Sequence, residues 1–152
     1  TRLQEQGKIR HYGLSNFDLG ELTRAEGLPG GARIGANQVL YNLERRGIER
    51  KLIPWCASRK IAIMAYSPLE QGRLRPDAAL RRVAERHDAS PAQVALAWTL
   101  RHDNVVSIPK ATRRAHVQDN AKAAEIVLTE EDLADIDRAF PPSRRDVPLE
   151  TL

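Results

Sequence analysis

An α/β fold of the (β/α) barrel class is what the sequence predicts, and three observations carry that prediction. Four short apolar runs stop abruptly in polar, ligand-capable side chains: Tyr12 to Phe17, Ala36 to Asn42, Ile61 to Leu69, and Val105 to Ala111. Each run is followed by a stretch of helical periodicity, and strands that alternate with helices pair in parallel. Polar groups gathered at the C-terminal ends of such strands are how a (β/α) barrel presents its working face. Four units stand here where a closed barrel takes eight. The expected architecture is therefore a half-barrel of four parallel β/α units with a C-terminal helix.

The elements follow in order. Thr1 opens the chain inside Leu3-Gln4-Glu5-Gln6-Gly7-Lys8, which reads as the end of a helix whose start is missing. After the first strand, Asp18 can cap a helix through Ala25, which the Gly27-Leu28-Pro29-Gly30-Gly31 loop ends. The second strand, near Ile34 to Val39, feeds a helix from about Ile48 to Arg59, with Pro54 kinking it or sitting in its first turns. The third strand is Ile61 to Tyr66. A longer loop, Glu70 to Arg75, leads to helices over Asp77 to Arg86 and Pro91 to Arg101, the second announced by Ser90 as cap and Pro91 at the first helical position. The fourth strand ends at Ile108-Pro109-Lys110, and a helix over Ala115 to Ala124 follows it. Thr129-Glu130-Glu131-Asp132 starts the last helix with a capping hydroxyl and an acidic first turn, and Pro141-Pro142 stops it. The tail through Arg144, Arg145 and Asp146 has no periodicity. Near-continuous apolar character in Ile61 to Ala65 predicts strands buried on both faces.

Bulk properties narrow the class. At 152 residues and 41% hydrophobic content the chain is of ordinary size for one core. No run approaches the ~18 apolar residues of a membrane span, and no signal segment opens the chain, so a soluble cytoplasmic protein is expected. A single cysteine, Cys56, forms no internal disulfide. The net charge is +4, but its basic residues are interleaved with acids such as Glu85 and Glu130-Glu131-Asp132. Nucleic acid demands a clustered basic stripe, so an anionic small ligand is the better expectation. His11, His87 and His102 are isolated from Cys56 and from carboxylates at metal spacing, so no metal is assigned.

With the four strand ends in their order and spacing, the chain resembles the C-terminal half of the aldo-keto reductases, the NAD(P)H-dependent (β/α)8-barrel oxidoreductases that reduce aldehydes and ketones. The likeness runs from Gly7-Lys8-Ile9-Arg10 to the helix before Pro141, and residues 1–152 would be half of one barrel domain, strands five to eight. The resemblance implies a nicotinamide dinucleotide as partner, with a small carbonyl compound as substrate of the intact enzyme. It also implies no catalytic residue here, because the family's tetrad of Asp, Tyr, Lys and His comes from strands two to four.

Carried over residue by residue, the resemblance gives Ser15, Asn16 and Gln38 to the nicotinamide carboxamide, a planar group that needs donors and acceptors at fixed positions. On their own residues, Asn16 can equally start a helix and Gln38 cap a strand. Tyr66 matches the aromatic that stacks on the nicotinamide ring. Ser67, Pro68, Leu69, Gln71 and Gly72 correspond to the loop that crosses the pyrophosphate, and a surface turn is the reading their composition alone favours. Lys110, Ala111 and Thr112 match the segment around the adenosine ribose and its 2′-phosphate. There the sequence departs from the best-known members: His116 stands for an arginine and Asp119 for a glutamate, while Asn120 keeps the asparagine. A neutral histidine lacks arginine's bidentate clamp, so NADP preference is weakened with NAD possible. Three readings stay open: a fragment of an active reductase, a catalytically inactive nucleotide-binding half-barrel that self-associates, and a non-functional fragment.

Overall fold

The computed structural model describes residues 2–75 and 77–152. Its centre is one parallel sheet of four strands in sequence order: β1 (Tyr12–Ser15), β2 (Ile34–Leu40), β3 (Ala62–Tyr66) and β4 (Val105–Ser107). The helices are α1 (Arg2–Glu5), α2 (Leu19–Glu26), α3 (Leu52–Ser58), α4 (Ala78–Arg86), α5 (Pro91–Thr99), α6 (Arg114–Lys122) and α7 (Glu130–Ala139). This is half of a (β/α)8 barrel, as the strand-helix alternation predicts.

Local chemistry sets most boundaries. Asp18 and Glu21 form a reciprocal capping box on α2, Ser90 and Gln93 do so on α5, and Thr129 and Asp132 on α7. The Asp77 carboxylate accepts from the backbone of Ala79 and Leu80 to start α4. The helix expected over Ile48 to Arg59 is instead a short 3₁₀ turn, Gly47–Glu49, followed by α3. Pro54 thereby falls in the first turn of α3, where an N–H has no helical acceptor and a proline costs least.

One expectation is corrected: only one face of the sheet is buried along its length, and on the other only the two ends of β2, Ile34 and Leu40, are buried. Neighbouring strands follow each other in order, and right-handed crossovers between them return every helix to the same side. On that side Asn37, Val39, Ile63, Ala65 and Val105 are buried. The opposite face carries the register rows Gly13–Ala36–Ala62 and Ser15–Gln38–Met64–Val106, together with Leu40 and Tyr66. Val106 is 50% exposed there, and Ala62, Met64 and Tyr66 are only half-buried.

The helix layer is held by an aromatic and ionic cluster as well as by aliphatic packing. Trp98 is fully buried, 5.3 Å from the Tyr41 ring, with the Arg101 guanidinium 3.7 Å over its centroid. Glu49 bridges Arg46 and Arg101 at 2.9 Å each. Burial works against its charge, but the two guanidiniums outweigh that and hold the carboxyl below its ordinary range. Far along the chain, Asp132 meets His87 Nε2 at 2.7 Å and also binds Arg86, so His87 is a hydrogen-bond partner of Asp132 that ties the end of α4 to α7. No group of metal-ligating side chains occurs among the described residues.

Candidate functional site

The C-terminal rim of the sheet collects the polar residues. Ser15 and Gln38 are register partners, so their side chains project side by side on the open face. The Asn16 N–H donates to the Gln38 carbonyl at 2.8 Å, extending the ladder one step into a left-handed turn with φ 56°. Asparagine is among the few residues that take this conformation readily. Behind it the fully buried Asn37 fixes the turn: its amide donates to the Phe17 carbonyl at 2.8 Å and accepts from the Phe17 N–H at 3.4 Å.

Next along the rim, Tyr66 ends β3 on the open face and is half-buried. The following loop is wound tightly: Ser67, Glu70, Gln71 and Gly72 all have positive φ, between 48° and 79°. Such backbone costs about 1 kcal/mol or more per non-glycine residue and persists only where neighbours hold it. The neighbours are the turn after β2. Buried Asn42 donates to the Ser67 carbonyl at 2.9 Å and to Glu70 Oε2 at 2.7 Å. Arg45 pairs with Glu70 Oε1 at 3.2 Å, and Glu44 accepts from the Arg75 N–H at 2.6 Å. Residues 42 to 45 thus clamp both ends of the loop.

Ser67, Pro68, Leu69, Gln71 and Gly72 line a groove of about 430 Å³ with Ile108, Pro109 and Lys110. The sequence assigned five of these to one loop and Lys110 to a different strand end; the fold brings them together. No carboxylate is among the lining residues, and Lys110 supplies a cation, a donor set that fits phosphate oxygens. A second groove of about 390 Å³ shares Pro109 and is lined by Ser107, Ala111, Val117 and Asn120 among others. The Ser107 hydroxyl is buried there without a hydrogen-bond partner among the described residues. Thr112, His116 and Asp119 are exposed and line neither groove, and the Asp119 carbonyl accepts from Gln93 on α5 at 3.0 Å.

Sequence reasoning missed the clamp of Asn37, Asn42, Glu44, Arg45 and Glu70. The only local signal at Asn42 is its place at the polar end of the second apolar run, and its partners lie 25 and 28 residues away. Cys56 is no candidate nucleophile: it is buried, and burial pushes its thiol up to about 11.

Parallel strands with polar C-terminal ends, and a rim groove lined by Lys110 and no carboxylate, define half of a (β/α)8 barrel. The sequence model described as the Aldo/keto reductase family matches residues 1–140, and the chain belongs to that family. It is 45% identical to methylglyoxal reductase YeaE of Escherichia coli (strain K12), over 98% of this chain and 54% of that protein. It is 38% identical to the glyoxal reductase of Bacillus subtilis (strain 168), over 90% of this chain and 48% of that one. Among solved structures, an aldo-keto reductase from Klebsiella pneumoniae in complex with NADPH superposes with a TM-score of 0.94 at 41% identity, covering 99% of this chain and 55% of that one. The chain spans about half the length of the relatives it matches. No helix among the described residues is long and apolar enough to cross a membrane.

Proposed function

We propose that this chain is the cofactor-holding half of an NADPH-dependent carbonyl reductase, with a small aldehyde or ketone as substrate of the intact enzyme. One observation carries the reading: the candidate residues run across the rim in the order of the parts of the dinucleotide. Ser15, Asn16 and Gln38 lie on β1 and β2, Tyr66 on β3, the Ser67–Gly72 loop behind it, and Lys110 after β4. Strand spacing spreads these positions over about 14 Å. NADPH in the Klebsiella pneumoniae relative and the dicarbonyl substrates in the names of the bacterial relatives support the same assignment.

When bound, the nicotinamide supplies hydride to a carbonyl carbon. This chain's part is to hold and orient. Ser15, Asn16 and Gln38 fix the carboxamide so that one ring face is presented, and Tyr66 covers the other face and excludes water from it. Ser67 and Gln71 donate to pyrophosphate oxygens, and Lys110 meets the 2′-phosphate as a point charge. Among residues 1–152 none matches the family's catalytic acid, so proton transfer to the carbonyl oxygen has no donor here.

The test is NADPH titration of the purified chain by fluorescence, beside an NADPH-oxidation assay with methylglyoxal. Saturable binding without oxidation is expected. Turnover would place a general acid in this half, and absence of binding would leave the non-functional reading.

A further inference from the structure

Residues 146–150 fold back over the turn that clamps the Ser67–Gly72 loop. Asp146 pairs with Lys51 at 2.5 Å and with Arg50 at 3.1 Å, and the Lys51 and Arg50 bonds hold its carboxyl below the ordinary range. Val147 seats on Gly47 so closely that a Cβ at Gly47 would lie 2.5 Å from its Cγ2. Leu149 packs on the hydrophobic core. Glu150 then reaches Arg45 Nη1 at 2.9 Å, while the other arm of the same guanidinium holds Glu70 at 3.2 Å. Arg45 is therefore shared between the tail and the loop. A cavity of about 250 Å³ lies under the tail, between Val147, Pro148 and Leu149 on one side and Leu40, Ile48 and Leu52 on the other, so the tail is not packed continuously against the core.

We propose that Arg45 is a positioning residue that couples docking of the C-terminal tail to the conformation of the Ser67–Gly72 loop, through Glu150 on one side and Glu70 on the other. With the tail docked, Glu150 orients the guanidinium and Glu70 is fixed between Arg45 and Asn42, which in turn holds the Ser67 carbonyl. With the tail lifted, Arg45 swings free and the loop loses one of the two groups that hold Glu70. The left-handed residues of the loop then relax, and the groove with Lys110 loses its shape. Coupling of this kind is reciprocal, so a ligand that orders the loop must also hold down the tail. As control of dinucleotide binding, the inference rests on the function proposed above; as a link between tail and loop, it does not.

Hydrogen exchange on the full chain separates the two. Without ligand, Glu150→Ala removes an exposed pair and should speed exchange at residues 67–72 by up to about fivefold. Gly47→Ala displaces Val147 and should do the same without touching Arg45 or Glu150. Arg45→Met should speed it more and make Glu150→Ala silent in its background, while β3 amides keep wild-type rates in every variant. NADPH should slow exchange at residues 146–150 in the wild type but not in Arg45→Met. Loop exchange unchanged in both Glu150→Ala and Gly47→Ala overturns the coupling. If the loop responds but NADPH neither binds nor protects the tail, the coupling stands and the cofactor reading falls.

Discussion

Asn42→Asp is the substitution whose effect the structure prices most closely, because it changes one atom of a fully buried side chain and keeps its shape. The Asn42 amide nitrogen donates to the Ser67 carbonyl at 2.9 Å and to Glu70 Oε2 at 2.7 Å, while its oxygen accepts from the N–H groups of Glu44 and Arg45. The new carboxylate keeps the second pair and loses the first. A neutral bond of about 1 kcal/mol and a charge-assisted one of about 1.5–3 kcal/mol disappear, and like charges are set against each other at Glu70. A total of roughly 3–4 kcal/mol follows. For a chain of this length that lowers the midpoint of thermal unfolding by about 8–14 °C, at one fixed protein concentration. Circular dichroism measures the shift. Adding Glu70→Gln should recover about half of it, because the glutamine amide can donate where Asn42 did. A midpoint within about 1 °C of wild type, or no recovery in the double variant, would refute the clamp.

Acid should destabilise the chain through Asp132. Burial opposes its charge, but His87, the backbone and hydroxyl of Thr129, and Arg86 outweigh that and hold its carboxyl far below the ordinary 3.8. The folded state thus binds fewer protons than the unfolded one; this contribution is complete above about pH 4 and is lost as pH falls toward the folded value. Urea midpoints between pH 5 and 2.5 should fall, and Asp132→Asn should flatten the slope; equal slopes would contradict the assignment. The open face and the unpaired edges of β1 and β4 predict self-association, which light scattering at micromolar concentration checks; a stable monomer with a cooperative melt would contradict it. His116→Arg should widen the preference for NADPH over NADH in the intact enzyme by supplying a bidentate phosphate contact, and an unchanged ratio of affinities would remove residue 116 from the site.

The parts of this fold that were legible in the sequence are those set by neighbours in the chain. Asp18, Ser90 and Thr129 announce their helices because a cap is a matter of three residues, and the structure gives each a capping box. The strand ends were legible because an apolar run that stops in Asn, Gln, Ser or Lys has few other readings. Coverage of the sheet was not: Ile61 to Ala65 reads the same whether one face or two are packed, and only the order of strands shows that the helices share a side. The His87–Asp132 pair and the clamp on the Ser67–Gly72 loop escaped for another reason. Their partners are 45 and 25 to 28 residues apart, and nothing local at Asn42, Glu70 or Asp132 marks which distant group each will meet. The Glu70–Arg45–Glu150 link joins a turn to a tail without periodicity, and tertiary folding alone brings these residues together.

The central claim is that the rim of this half-barrel holds a nicotinamide dinucleotide with its 2′-phosphate at Lys110. The most direct test is the ratio of NADPH to NADH affinity in wild type and in Lys110→Met, titrated by fluorescence at low and at moderate salt. Lys110 is exposed, so its replacement should leave the fold unchanged, and any loss of NADH affinity through the pyrophosphate is common to both cofactors and cancels in the ratio. The account predicts a modest NADPH preference in the wild type that shrinks with salt, as screening of an exposed charge requires, and its loss in Lys110→Met. A ratio that Lys110→Met leaves unchanged would contradict it.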